Sequence, residues 1–126
     1  MAISLSSLRS STSTNPPIVL IYGVDGVGKT SLAAEFPDAL YLPTAGERTP
    51  DGVDLPTPGT IETFDDLKAV FGELLTEEHE IKTVIVDSLD GLEPLMHAET
   101  CKRIGATSID SNDKGSPTSF GRGYVE

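Results

Sequence analysis

An α/β fold with a mostly parallel sheet and flanking helices is predicted by three observations. An apolar, β-branched run, Ile18-Val19-Leu20-Ile21-Tyr22, enters a glycine-rich loop. That loop opens into a short helical stretch, Ser31-Leu32-Ala33-Ala34-Glu35-Phe36, which Pro37 stops. A second continuous apolar run, Thr83-Val84-Ile85-Val86, follows an amphipathic helical pattern. Runs of this kind fit strands covered on both faces of a parallel sheet.

The loop between the first run and its helix is Gly23-Val24-Asp25-Gly26-Val27-Gly28-Lys29-Thr30, which fits G-x-x-x-x-G-K-[ST]. The order strand, glycine loop, helix gives this P-loop pattern a mechanism. Three glycines let the backbone turn tightly and aim its N–H groups inward as a cradle for phosphates. Gly23, Val24, Asp25, Gly26, Val27, Gly28, Lys29, Thr30 and Ser31 are therefore the expected phosphate-binding residues. Lys29 can reach the β- and γ-phosphates, and the Thr30 hydroxyl can hold Mg²⁺.

The remaining elements follow in order. The first helix is expected over residues 29–36. Ala39-Leu40-Tyr41-Leu42 reads as a short strand between a Pro-Asp break and Pro43. Residues 44–59 carry Gly46, Pro50, Gly52, Pro56, Pro58 and Gly59, and read as a long loop with a brief strand at 53–55. Thr63 is the expected N-cap of a helix whose first turn holds Asp65 and Asp66. In it Phe64, Leu67, Val70, Phe71, Leu74 and Leu75 recur at three- and four-residue spacing and define a core-packing face. His79, within an acidic turn, is expected to be exposed. A last helix is expected over residues 92–103, with Pro94 in its first turn. Residues 105–123, rich in Ser, Gly and Asp, read as a mobile loop.

Composition narrows the function classes. The chain has 126 residues, 37% hydrophobic and 23% charged, which suits one small globular domain. Residues 1–17 read as a Ser/Thr-rich lead-in closed by Pro16-Pro17, in which Ile3, Leu5 and Leu8 can dock on a domain at 18–126. No apolar run is long enough to span a membrane. The lone Cys101 cannot form an internal disulfide, so nothing points to secretion and a cytoplasmic location is expected. A formal charge of −11, from 20 acidic and 9 basic residues, repels nucleic acid. Any DNA contact must then come from a local basic patch, a partner or sequence outside this chain.

Nucleotide hydrolysis also needs a carboxylate for the metal shell, usually at the end of a neighbouring buried strand. Val84-Ile85-Val86-Asp87 supplies such a Walker B sequence. In a parallel sheet the carboxyl ends of the strands face the ligand crevice. Thr30 and Asp87 are accordingly the expected metal ligands; the alternative for Asp87 is to cap the next helix, which Ser88 or Asp90 could do equally well. Water must further be oriented or deprotonated. The candidates are Glu47, on the loop leaving the second strand, and Ser88 or Asp90 beside Asp87. Lys29 and Glu47 are the expected catalytic pair.

These residues resemble phage-encoded AAA-family, RecA-like P-loop ATPases, some linked to single-strand annealing recombination. The resemblance is carried by Ile21-Tyr22-Gly23, Gly26-Val27-Gly28-Lys29-Thr30, Phe36-Pro37, Ala39-Leu40-Tyr41-Leu42, Val84-Ile85-Val86-Asp87-Ser88-Leu89 and Phe120-Gly121-Arg122-Gly123-Tyr124-Val125. It implies a RecA-like P-loop NTPase core, ATP with Mg²⁺, and homo-oligomers that act on single-stranded DNA. The family often has a Thr-Glu pair after its second strand. Here the stretch is Pro43-Thr44-Ala45-Gly46-Glu47, with the acid two residues late. Family members also continue with further strands, so the resemblance implies an incomplete, C-terminally truncated core.

Two other readings stay open. A non-catalytic, nucleotide-gated assembly module fits the displaced acid. A small GTPase shares Gly26-Val27-Gly28-Lys29-Thr30. However, Asp87-Ser88-Leu89-Asp90-Gly91 is one residue too long for Asp-x-x-Gly, and no Asn-Lys-x-Asp guanine-reading motif is present.

Overall fold

Alternation of side chains along two short strands builds the centre of the molecule. The computed structural model describes residues 15–112, 114–119 and 121–125. The lead-in residues Ile3, Leu5 and Leu8 and the motif residue Phe120 lie outside them. Strand β1 (Ala39–Pro43) pairs in parallel with β2 (Thr83–Asp87), with Tyr41 opposite Ile85 and Pro43 opposite Asp87. Directly paired residues share a face, and successive residues alternate faces.

One face buries Ala39, Tyr41 and Ile85 against Ala33 of helix α1 (Lys29–Ala34) and against Leu55. The other buries Leu42 with Ile61 and Leu67, joined by Phe64 and Val70 of helix α2 (Phe64–Thr76). Leu92 and Leu95 of helix α3 (Leu89–Ile104) complete that cluster. The sheet is thus covered on both faces, as its uninterrupted apolar strands require. Full burial of a leucine such as Leu42 is worth about 1.5–3 kcal/mol.

Helix α2 forms where its sequence predicts, but its expected core face is buried only in part: Leu67 is buried and Phe64, Val70 and Leu74 are half-buried, whereas Phe71 and Leu75 are exposed. The Asp66 N–H donates to Thr63 Oγ1 at 3.1 Å, and the Thr63 N–H donates back to Asp66 Oδ2 at 2.8 Å. This capping box satisfies two orphan donors of the first turn. Hydrogen bonds from Thr63 hold the Asp66 carboxyl below the usual aspartate range. His79 is exposed, as expected, and its ring meets the Leu74 carbonyl at 2.9 Å.

Elsewhere the structure corrects the sequence reading. Residues 18–22 form no strand. Ile18 is 102% exposed and Tyr22 86%, and no hydrogen bond joins the segment to the sheet among the described residues. Composition supplies only β-propensity: the outer edge of β2 pairs with no strand among the described residues, and that of β1 is already taken. There the Tyr41 N–H donates to the Pro56 carbonyl, and the Ile61 N–H to the Pro43 carbonyl, each at 2.8 Å. Thr44 and Ile61 add an isolated parallel bridge. The expected strand at 53–55 is absent, because the pairing falls on Pro56 and Ile61 instead.

Helix α1 stops at Ala34 rather than Phe36, and its last turn tightens through the Phe36 N–H on the Ala33 carbonyl. Helix α3 begins at Leu89, three residues early, so Pro94 lies inside it. Proline removes the donor that the Asp90 carbonyl would otherwise accept. Asp90 is exposed, so water can take that role.

The C-terminal stretch is not a bare loop. Thr118 and Ser119 are buried, Ser111 bridges Ser119, and Arg122–Val125 forms a 3₁₀ turn. Arg122 ties the stretch together through the Ser116 and Ser119 carbonyls, each at 3.2 Å, and the Ser119 hydroxyl.

Candidate phosphate and metal site

The period of two along β1 and β2 places Tyr41 and Asp87 on the face that α1 covers. Helix α1 begins at Lys29, directly after the glycine loop, so Thr30 sits in its first turn. The Thr30 hydroxyl donates to Asp87 Oδ2 at 2.6 Å. The Tyr41 hydroxyl donates to the same oxygen at 3.1 Å. Asp87 is therefore engaged across the sheet. Helix α3 takes Ser88 as its N-cap, without a side-chain cap bond.

The loop itself is open to solvent. Gly23, Val24, Asp25, Gly26, Val27 and Gly28 are all exposed. Gly26 and Gly28 have φ of 76° and 100°, in the left-handed region where a Cβ is disfavoured. Lys29 folds back over the loop, and its Nζ donates to the Gly23 carbonyl at 2.9 Å and to the Val24 carbonyl at 3.0 Å. Asp25 lies 3.9 Å from the same ammonium. Ser31, the last of the expected phosphate-binding residues, is exposed on α1.

Burial first, and the neighbouring Asp87 carboxylate second, hold the Tyr41 phenol well above the ordinary tyrosine range. Tyr41 therefore remains a hydrogen-bond donor to Asp87 at any physiological pH. Glu47 adds a smaller electrostatic contribution in the same direction. Its residue is exposed, and its backbone N–H donates to the Thr44 carbonyl at 3.0 Å. Ala45, which stands where the resemblance leads one to expect an acid, has φ of 51°.

Two residues that bear on the site were not singled out from sequence. Tyr41 appeared only as part of a short strand, although strand period plus parallel register would have put it beside Asp87. Thr44 is fully buried. Its hydroxyl accepts from the Ser88 N–H at 2.9 Å and donates to the Ser88 carbonyl at 2.7 Å. It thereby locks the backbone that follows Asp87. Gly91 permits this closeness, since a Cβ there would stand 2.8 Å from the Cβ atoms of Thr44 and Ala45.

A hydroxyl and a carboxylate are hard oxygen ligands of the kind Mg²⁺ takes alongside phosphates, so Thr30 and Asp87 fit that ion. No cluster of three or more His, Cys, Asp or Glu suited to a metal occurs among the described residues. Such a cage is not required for magnesium held with phosphates. A separate groove of about 400 Å³ lies between α3 and the C-terminal turn, lined by residues that include Leu92, Met96 and Tyr124. None of its lining residues belongs to the glycine loop, where the expected phosphate-binding residues lie. Among the described residues no helix is long and apolar enough to cross a membrane.

No curated protein and no solved structure matches the chain. The family comparison is informative: residues 15–126 match the model of an AAA domain, which implies a P-loop NTPase fold. By that match over nearly its whole length, the chain belongs to the AAA domain family of P-loop ATPases.

Proposed function

We propose that the chain binds ATP with Mg²⁺ on the glycine loop and hydrolyses it, in the service of phage DNA recombination and single-strand annealing. The observation that carries the nucleotide reading is the 2.6 Å bond from Thr30 to Asp87, made beside the Lys29-closed loop. The AAA domain match supports nucleotide use. The recombination role rests on the resemblance of the sequence motifs alone. In the same reading the chain is cytoplasmic, forms homo-oligomers and contacts single-stranded DNA through a partner or through sequence outside this chain.

Incoming phosphate oxygens would compete with the Gly23 and Val24 carbonyls for the Lys29 ammonium, and the loop N–H groups would take further oxygens. Thr30 and Asp87 would hold the magnesium, which neutralises charge on the phosphates when bound. Glu47 would orient the attacking water.

A second reading, a nucleotide-gated module without turnover, is favoured by Ala45 standing in the expected acid position. The GTPase reading loses support because Gly91 lies within α3, packed on Thr44, instead of in a switch loop. Titration with ATP and with GTP, followed by phosphate release with and without single-stranded DNA, separates the three. Mg²⁺-dependent ATP preference with DNA-stimulated release is the result expected. Binding without release would favour the module, and GTP preference would revive the third reading.

A further inference from the structure

We infer that Tyr41 is the positioning residue of the metal-binding carboxylate, an assignment that rests on the magnesium reading of Thr30 and Asp87. Tyr41 is only 2% exposed. Its ring is packed in a cluster with Ala39, Ile85, Ala33 and Leu55, and its backbone N–H is pinned to the Pro56 carbonyl at 2.8 Å. A phenol with two side-chain torsions, caged in this way, has one place to put its hydroxyl. That place is 3.1 Å from Asp87 Oδ2.

The second donor to that oxygen is Thr30, at 2.6 Å. The two donors have different duties. Thr30 lies next to the loop and is itself an expected metal ligand. Tyr41 lies in an apolar cage on the opposite strand and has no ligand of its own to hold. Both bonds use Oδ2, so neither occupies Oδ1. The tyrosine thus fixes the plane of the carboxylate while leaving its second oxygen to the ion. Hydrogen-bond partners of this sort orient metal-bound carboxylates, and losing one costs about 10–100-fold in metal affinity.

The test is a Mg²⁺ titration of ATP binding by the full chain. It compares wild type, Tyr41→Phe, Asp87→Asn and the double variant, each also measured in chelator and melted by circular dichroism. Tyr41→Phe keeps the ring in its cage and removes only the hydroxyl. The expected result is a Mg²⁺ midpoint raised about 10-fold in Tyr41→Phe, with the metal-free ATP affinity unchanged. In the Asp87→Asn background Tyr41→Phe should add no further shift, because its effect passes through the carboxylate. A wild-type midpoint in Tyr41→Phe would overturn the assignment. So would an equal loss with and without metal, or a variant that no longer folds, since either marks a purely structural tyrosine. A wild-type chain that binds ATP without any Mg²⁺ dependence would instead overturn the magnesium reading itself, and this assignment with it.

Discussion

The hydroxyl of Thr30, in the first turn of α1, donates to Asp87 Oδ2 at the carboxyl end of β2 across 2.6 Å. Fifty-seven positions separate the two residues. The parallel register of β1 and β2 and the packing of α1 on the Tyr41 face bring them together. The predictions below follow from that juxtaposition and from the elements that hold it.

Lys29 makes its hydrogen bonds to loop carbonyls only, so the fold does not depend on it. Lys29→Ala should keep the wild-type melting curve. It should weaken ATP binding roughly 10- to 100-fold, the worth of charge-assisted hydrogen bonds. Wild-type affinity in this variant would contradict the assignment of the loop.

Gly91 lies against Thr44, whose hydroxyl brackets Ser88. Gly91→Ala should overpack this corner and destabilise the chain by about 1–3 kcal/mol. Because the displaced segment adjoins Asp87, the Mg²⁺ requirement for ATP binding should also rise. Denaturant midpoints and a metal titration of the same variant check both effects.

The capping box of α2 gives a stability prediction remote from the site. Thr63→Ala should cost about 1 kcal/mol. The Asp66 carboxyl, held down by its bonds from Thr63 and Glu62, contributes stability that is fully present above the ordinary aspartate range. That contribution is lost as pH falls through the lowered folded-state value. Thermal melts from neutral to strongly acidic pH should therefore show a shallower acid loss in Asp66→Asn than in wild type.

Glu47 carries the proposed water-orienting role. Glu47→Gln should leave ATP affinity intact and lower phosphate release by about 10²–10⁴-fold, the usual contribution of a positioned acid or base. Unchanged release would move the role to another residue, with Asp90 the next to replace.

Legibility in the sequence tracks how local each signal is. The capping box of α2 and the β-branched run of β2 depend on near neighbours and both form as expected, whereas the apolar stripe of α2 packs only in part, with Phe71 and Leu75 left exposed. Residues 18–22 have the composition of a strand but form none, since β-propensity alone does not secure pairing. Helix α3 starts three residues before the expected residue 92, so Pro94 lies inside the helix instead of in its first turn. Thr30 and Asp87 could be named from their motifs. Tyr41 emerges only once the register of two strands is known, since an ordinary strand tyrosine carries no mark of its partner.

The measurement that bears most directly on the central claim is the Mg²⁺ dependence of ATP affinity in wild type and in Asp87→Asn. The account predicts that Mg²⁺ tightens ATP binding to the wild-type chain. It also predicts that Asp87→Asn abolishes most of that gain while leaving metal-free binding in place. Equal tightening by Mg²⁺ in both proteins would contradict the pairing of Thr30 and Asp87 as a metal site.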